Sequence, residues 1–311
     1  DKFVLKAIGR TLNTNSDIVH ITFPTYGKIR TNKPVVVTFH DDLFITRYKE
    51  ARDFLREYLE KSTAIYTLSR ADAILPNSSL TMKSLENFME SFKIDKTDKI
   101  IRTISIGIND AFIKEKPCEG ERRDFVYIGD IFFPHKNFPF LLQVFSRLLL
   151  SNQDLKLHIF TSSKDAQEIL NKELEKYVQK RMFSQVILHY KAPDEEVIEY
   201  TKKAIALLHF SKEEGFGLPI LEAMALGTPV VLLKDAKIPE EVSKYAYKVE
   251  SEPFKAEDFI NKLIDKPTAL SKEAIDYAKS FTWERTASET LKVYEEVLKN
   301  KHIEKIKLVG W

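Results

Sequence analysis

The chain has 311 residues, 43% of them apolar, enough for one large buried core or two ordinary ones. Its 48 Lys and Arg against 46 Asp and Glu leave a net charge of +2 spread along the sequence, with no basic footprint for nucleic acid. A single cysteine, Cys118, excludes an intrachain disulfide framework and a cysteine-ligated zinc site, no apolar run reaches the roughly 20 residues that span a bilayer, and no secretory signal pattern is read, so a cytoplasmic location is expected.

In chain order, Phe3–Leu12 reads as a helix and Asp17–Ile21 as a strand. Pro34–Phe39 is a β-branched run fit for a buried strand, and its carboxyl end carries His40-Asp41-Asp42. Strand ends of this kind face the ligand crevice in open α/β sheets, which makes His40 a candidate site residue. The plain alternative is a hydrogen-bonded loop histidine, and no second His sits near it at metal-ligand spacing. Arg47–Ser69 is expected to be helical and Ala71–Leu75 a strand, after which Asn77-Ser78-Ser79 offers caps for a helix starting near Leu80. Lys99–Ile106 leads into Gly107-Ile108-Asn109. The charged stretch Lys114–Arg123, with Pro and Gly and no apolar period, reads as an interdomain linker.

A second domain is expected from Phe125–Gly129 onward. Strands Leu155–Phe160, Val186–Tyr190 and Ala204–Phe210 alternate with helices over Lys164–Lys180 and after Pro193-Asp194. Such alternation means a parallel sheet covered on both faces. A short helix at Pro239–Val242, helices Ala256–Ile264 and Ser271–Phe281, and a long amphipathic helix Phe281–Leu298 follow. The tail Lys299–Trp311 sets four lysines among Ile303, Ile306, Leu308, Val309 and Trp311. It can pack on the protein or lie against anionic lipid.

The most informative string is Glu214-Gly-Phe-Gly-Leu-Pro-Ile-Leu-Glu222-Ala-Met-Ala-Leu-Gly227-Thr-Pro-Val-Val231. Gly215 and Gly217 let the backbone turn sharply beside a ligand, Pro219 suits the first turn of a helix, Gly227 suits its left-handed cap, and Pro229 stops it. The free N–H groups and dipole at such a helix start favour an anion such as a diphosphate. Two carboxylates beside a diphosphate are unwelcome unless they take neighbouring hydroxyls, and a nucleotide sugar has hydroxyls on both sides. A dinucleotide reading of Gly215-Phe-Gly217 with Asp235 stays open, although Ile220 stands where a third glycine belongs and Pro219 breaks that pattern.

Glu214-x7-Glu222 within this string resembles the signature of retaining GT-B glycosyltransferases of the family 4 type. The resemblance implies an α/β, GT-B-like fold of two Rossmann-like domains with parallel sheets facing a central cleft. Residues 1–113 would form a reduced acceptor-side domain, completed by helix 283–311, 114–123 the linker, and 124–282 the nucleotide-sugar domain. It implies metal-independent transfer with retention from a UDP- or GDP-linked sugar, with no cofactor; the chain contains no Asp-x-Asp. By the same resemblance the catalytic candidates are Glu214 at the donor sugar, Lys136 at the diphosphate and His40 near donor sugar and acceptor. Gly215, Phe216, Gly217 and Leu218 would present N–H groups to the diphosphate, and Glu222 would take the ribose. Ser211, with Lys212, would line the sugar pocket, and Tyr190 would lie near the base.

Two departures from the family pattern stand out. In the loop Gly129–Asn137 the family places an Arg just after the Gly and a Lys further on; here Lys136 matches, but Asp130 holds the arginine position. A solvated loop lysine is the plain alternative for Lys136. The first domain is also short for its fold, which a naturally small domain, a shortened chain or completion by a partner would each explain. Two functions therefore stay open: a glycosyltransferase, or a non-catalytic or partner-dependent module of the same shape that binds nucleotide sugar or glycan. The acceptor (glycan, lipid-linked or protein) is unspecified, nucleic acid is not expected as a partner, and the basic tail suggests weak peripheral membrane association.

Overall fold

A computed structural model of the chain describes residues 10–41 and 54–309. Most of the helix expected over Phe3–Leu12, Asp42 and the start of the helix expected over Arg47–Ser69 lie outside the described residues. Backbone contacts divide the chain into two compact units, one made of residues up to Gly107 together with those from Trp283 on, the other of Ile108–Thr282.

The first unit contains β1 (Arg10–Thr11), β2 (Val19–Ile21), β3 (Ile29–Arg30), β4 (Val35–Phe39), α1 (Phe54–Arg70), β5 (Ala73–Pro76), α2 (Ser79–Ser91) and β6 (Ile100–Ile101). Among the described residues β2, β4, β5 and β6 form a parallel sheet in the order β2-β4-β5-β6, and β1 pairs with β3. Side chains alternate across a strand, so Val35, Val37 and Phe39 of β4 turn to one face with Ile74, where Leu68 of α1 and Leu85, Phe88 and Met89 of α2 cover them. Val36, Ala73 and Leu75 turn to the other face and meet Val293 and Val297 of the last helix, Trp283–Val309. Ser78 caps α2 by accepting the Thr81 N–H at 3.0 Å. Within Lys99–Ile106, Ile100–Ile101 is strand β6.

The second unit opens with α3 (Asp110–Lys114) and continues through β7 (Phe125–Ile128), α4 (Phe138–Ser151), β8 (Leu157–Thr161), α5 (Ala166–Tyr177), β9 (Val186–Tyr190), α6 (Asp194–Lys203) and β10 (Ala206–His209). It ends with α7 (Leu218–Ala225), β11 (Val230–Leu233), α8 (Glu240–Ser243), β12 (Tyr247–Val249), α9 (Pro253–Asp265) and α10 (Lys272–Lys279); helix Trp283–Val309, α11, belongs to the first unit. The strands are parallel in the order β12-β11-β10-β7-β8-β9. From β7 the chain builds outward through β8 and β9, then returns to the other side of β7 as β10. The strand order therefore reverses between β7 and β10, and in an open α/β sheet a ligand crevice lies outside the carboxyl ends at such a point.

The linker expected over 114–123 is not one. The division between units falls at Gly107, and Ile108 and Phe112 are buried within the second unit. Arg122 is only 6% exposed. Its guanidinium donates to the carbonyls of Lys202 (3.1 Å), Ala204 (2.9 Å) and Gly227 (2.9 Å) and to Thr228 Oγ1 (3.2 Å). Those carbonyls stand at the carboxyl ends of α6 and α7, where helices leave acceptors without intrahelical partners and the dipole is negative. A charge-rich sequence thus conceals one buried cation that joins two helix ends. No helix among the described residues is long and apolar enough to cross a membrane. The side chains of the tail from His302 onward lie outside the described residues.

Candidate active site

The loops after β7 and β10 meet at the reversal point. After β10 the chain turns through Gly215 and Gly217 into α7, whose Ile220, Leu221 and Met224 are fully buried; burial of each contributes about 2 kcal/mol. Gly217 has φ +101, and a Cβ there would lie 3.0 Å from Ile220 Cδ1. Glycine is required at this turn by both backbone and space. Pro219 occupies the first turn of α7 and Gly227 closes it at φ +75, as the sequence suggests.

Lys136 and Glu214, 78 residues apart, come together: Lys136 Nζ donates to Glu214 Oε1 at 2.7 Å. Lys136 reaches this position from the 3-10 turn Pro134–Lys136, and the Lys212 N–H binds the His135 carbonyl at 2.8 Å, joining the two loops. The same Oε1 accepts a hydrogen bond from His209 Nε2 at 2.8 Å. Burial alone would raise the Glu214 carboxyl, but the His209 hydrogen bond and the His209 and Lys136 charges outweigh it and hold Glu214 far below the ordinary carboxylate range. His209 is not among the residues that the sequence points to. Its signal was a histidine as the last residue of an otherwise apolar buried strand, five positions before a candidate glutamate.

Asp130, in the family's arginine position, turns back on its own loop and accepts the Phe132 N–H at 2.8 Å, while the buried Tyr127 hydroxyl donates to the Asp130 carbonyl at 2.8 Å. The carboxylate shapes the loop that carries Lys136. Phe216, expected at the diphosphate, buries its ring against Phe281 with centroids 6.2 Å apart, so only its backbone can serve a ligand. Leu218 begins α7 and Tyr190 ends β9 with its ring 47% exposed. Ser211 is fully buried, and its Oγ has no hydrogen-bond partner.

Glu222 lies one turn into α7. Burial, with the Asp194 charge adding to it, pushes its carboxyl up to about 7. Asp194, the first residue of α6, is itself held by Asn109 Nδ2 at 2.7 Å. A carboxyl raised from 4.5 to about 7 by folding favours the folded state fully below the unfolded value, and that contribution is lost as pH rises through 7. Glu222→Gln is therefore expected to stabilise the unliganded protein by up to about 3 kcal/mol above pH 7 and to change little below pH 5. Melting curves at pH 5 and 8 check this; parallel pH dependences in wild type and variant would contradict it.

His40 belongs to the first unit, at the end of β4. Its Nδ1 lies 3.4 Å from Asn77 Nδ2 at the end of β5, and its ring stacks on Phe23 at 5.7 Å. Burial lowers its pKa, opposed by a hydrogen bond to the Thr22 backbone, which leaves a neutral imidazole near pH 7. Asn77 is thus a partner of His40, and the helix cap is made by Ser78. Among the described residues no group of three or more His, Cys, Asp or Glu is arranged to hold a metal ion.

Residues 109–281 match the family of glycosyl transferases group 1. The chain is similar to a protein of Methanocaldococcus jannaschii named an uncharacterized glycosyltransferase, 23% identical over 291 residues that cover 89% of this chain and 74% of the relative. It is 25% identical to an alpha-1,3/1,6-mannosyltransferase of Mus musculus over 272 residues, 81% of this chain and 64% of that protein. The structure of a sucrose-phosphate synthase from Thermosynechococcus elongatus superposes with a TM-score of 0.69 at 17% identity, covering 91% of this chain and 74% of that one. The fold, two Rossmann-like units each with a parallel sheet, is that of the GT-B glycosyltransferases.

Proposed function

This chain belongs to the glycosyl transferases group 1 family, and we propose that it moves a sugar from a nucleoside diphosphate donor to an acceptor hydroxyl, with retention of configuration and without a metal ion. The observation that carries this reading is the convergence of Lys136, Glu214 and the start of α7 on one strand-order reversal. Breaking an anomeric C–O bond puts negative charge on the departing diphosphate and positive charge on the sugar. Lys136 and the N–H groups around Gly215–Leu218 are suited to the first, and the ionised Glu214 to hydroxyls of the second. In the unliganded chain Lys136 is engaged by Glu214, so an arriving diphosphate takes over a cation that is already placed.

Glu222, one turn into α7, is the residue proposed for the ribose. If its ionised form accepts the ribose hydroxyls, donor affinity rises with pH through about 7. Tyr190 is proposed beside the base, Ser211 within the sugar pocket and His40 on the acceptor side. Because one relative is named a mannosyltransferase, mannose is the first donor sugar to test.

Proton NMR of the reaction, with the donor that binds and with EDTA present, tests the proposal. Release of nucleoside diphosphate, with the sugar keeping the donor's anomeric configuration in the first product formed, is the expected result. Inversion would exclude the retaining mechanism, loss of turnover in EDTA would exclude the metal-free one, and binding without turnover would favour the non-catalytic module.

A further inference from the structure

We infer that His209 is a positioning residue for the proposed transfer: from the end of β10 it fixes the Glu214 carboxylate before the donor arrives and keeps it fixed when Lys136 turns to the diphosphate. The inference rests on the reading of Glu214 as the residue that meets the donor sugar.

Three observations point the same way. First, Lys136 and His209 both bind Oε1 of Glu214, and neither takes Oε2, so one oxygen is anchored and the other is presented. An ionised carboxylate only accepts, so the His209 proton must sit on Nε2. Second, the two anchors differ in mobility. Lys136 is a flexible side chain in a loop, whereas His209 is 1% exposed on a strand hydrogen-bonded on both sides, between β7 and β11. Third, His209 Nδ1 is buried without a hydrogen-bond partner among the described residues. A histidine kept for structure would satisfy both nitrogens, and an apolar residue would suit this strand better. The only side-chain hydrogen bond His209 makes among the described residues is the one to Glu214.

The groups facing Glu214 are His209 of β10, Lys136 of the Pro134–Lys136 turn and the Tyr127 phenol of β7. His209→Phe removes one of the two donors and should lower the melting temperature near neutral pH by less than Glu214→Gln does, because a hydrogen bond to a carboxylate is lost while an orphaned polar atom leaves the core. It should lower kcat roughly 10-fold to 100-fold, the usual effect of losing a group that orients a functional side chain. The acidic limb of the kcat profile should move to higher pH, and His209→Gln, whose amide can donate to Oε1, should recover part of both. An unmoved acidic limb, or no recovery of kcat in His209→Gln, would overturn the inference.

A second measurement does not depend on turnover. Carbon-13 NMR of the Glu214 carboxyl, assigned by its loss in Glu214→Gln, should show titration at higher pH in His209→Phe than in wild type. The same titration in both would overturn the inference even if the chain proves to be a transferase. A shifted titration in a chain without transferase activity would support the anchor while refuting the assigned reaction. If His209→Phe does not fold, the same comparison is made with His209→Gln and His209→Leu.

Discussion

Glu214→Gln is expected to lower kcat by about two to three orders of magnitude, the loss seen when a preorganised electrostatic group is removed from a transition state. The substitution keeps the shape of the side chain and deletes its charge. Two donors, Lys136 Nζ and His209 Nε2, then face an amide at the positions where they now hold Oε1 at 2.7 and 2.8 Å. With side chains only 17% and 11% exposed, Lys136 and Glu214 form a largely buried pair, and removing one partner leaves a poorly solvated charge. Glu214→Gln should therefore also destabilise the unliganded protein, by about 3 kcal/mol. Saturating donor should restore part of that stability, because its diphosphate gives Lys136 a new anion. Steady-state kinetics with melting curves, with and without donor, separate the two effects. A kcat within tenfold of wild type would remove Glu214 from the chemistry.

Arg122→Ala carries the largest stability cost expected outside the site, about 3 kcal/mol, from losing charge-assisted bonds to three carbonyls and a hydroxyl. The loss is moderated because a buried cation bound to neutral acceptors also gives up its desolvation penalty; burial lowers the Arg122 pKa. Arg122→Lys should recover little, since an ammonium cannot reach the ends of α6 and α7 with a planar fork. Denaturant midpoints of the two variants test this, and a change below about 0.5 kcal/mol in Arg122→Ala would show the segment to be the exposed connection its composition suggests.

The difference between these two residues shows what the sequence makes legible. Gly217, Pro219 and Gly227 act locally, within one turn and one short helix, so their positions in the string announce their conformations. Ser78 announces its cap for the same reason. Arg122 acts over 80 to 106 residues, on acceptors that become neighbours only when two helix ends meet. Nothing in Glu-Arg-Arg distinguishes it from the exposed Arg123 beside it. His209 lies between these cases: only five residues from Glu214, yet reading its direction requires the turn that folds the glutamate back over the strand end. The Glu222 carboxyl is a third kind, since its identity was legible and its protonation was not; burial and Asp194 on another helix set that. The expected linker failed because charge and Pro/Gly content report average exposure, and one buried arginine overrules the average.

Everything proposed for the chemistry requires that the second unit bind a nucleotide sugar at the reversal between β7 and β10. Melting temperature under a panel of UDP-, GDP-, ADP- and dTDP-sugars, with and without Mg²⁺, tests it most directly, in wild type and in Lys136→Ala. A ligand at 100 times its Kd stabilises the native state by about 2.7 kcal/mol, a shift of roughly 4 °C for a chain of 311 residues. Such a shift is expected for one nucleotide, unchanged by Mg²⁺ and largely lost in Lys136→Ala. No shift with any donor, or an equal shift in the lysine variant, would contradict it.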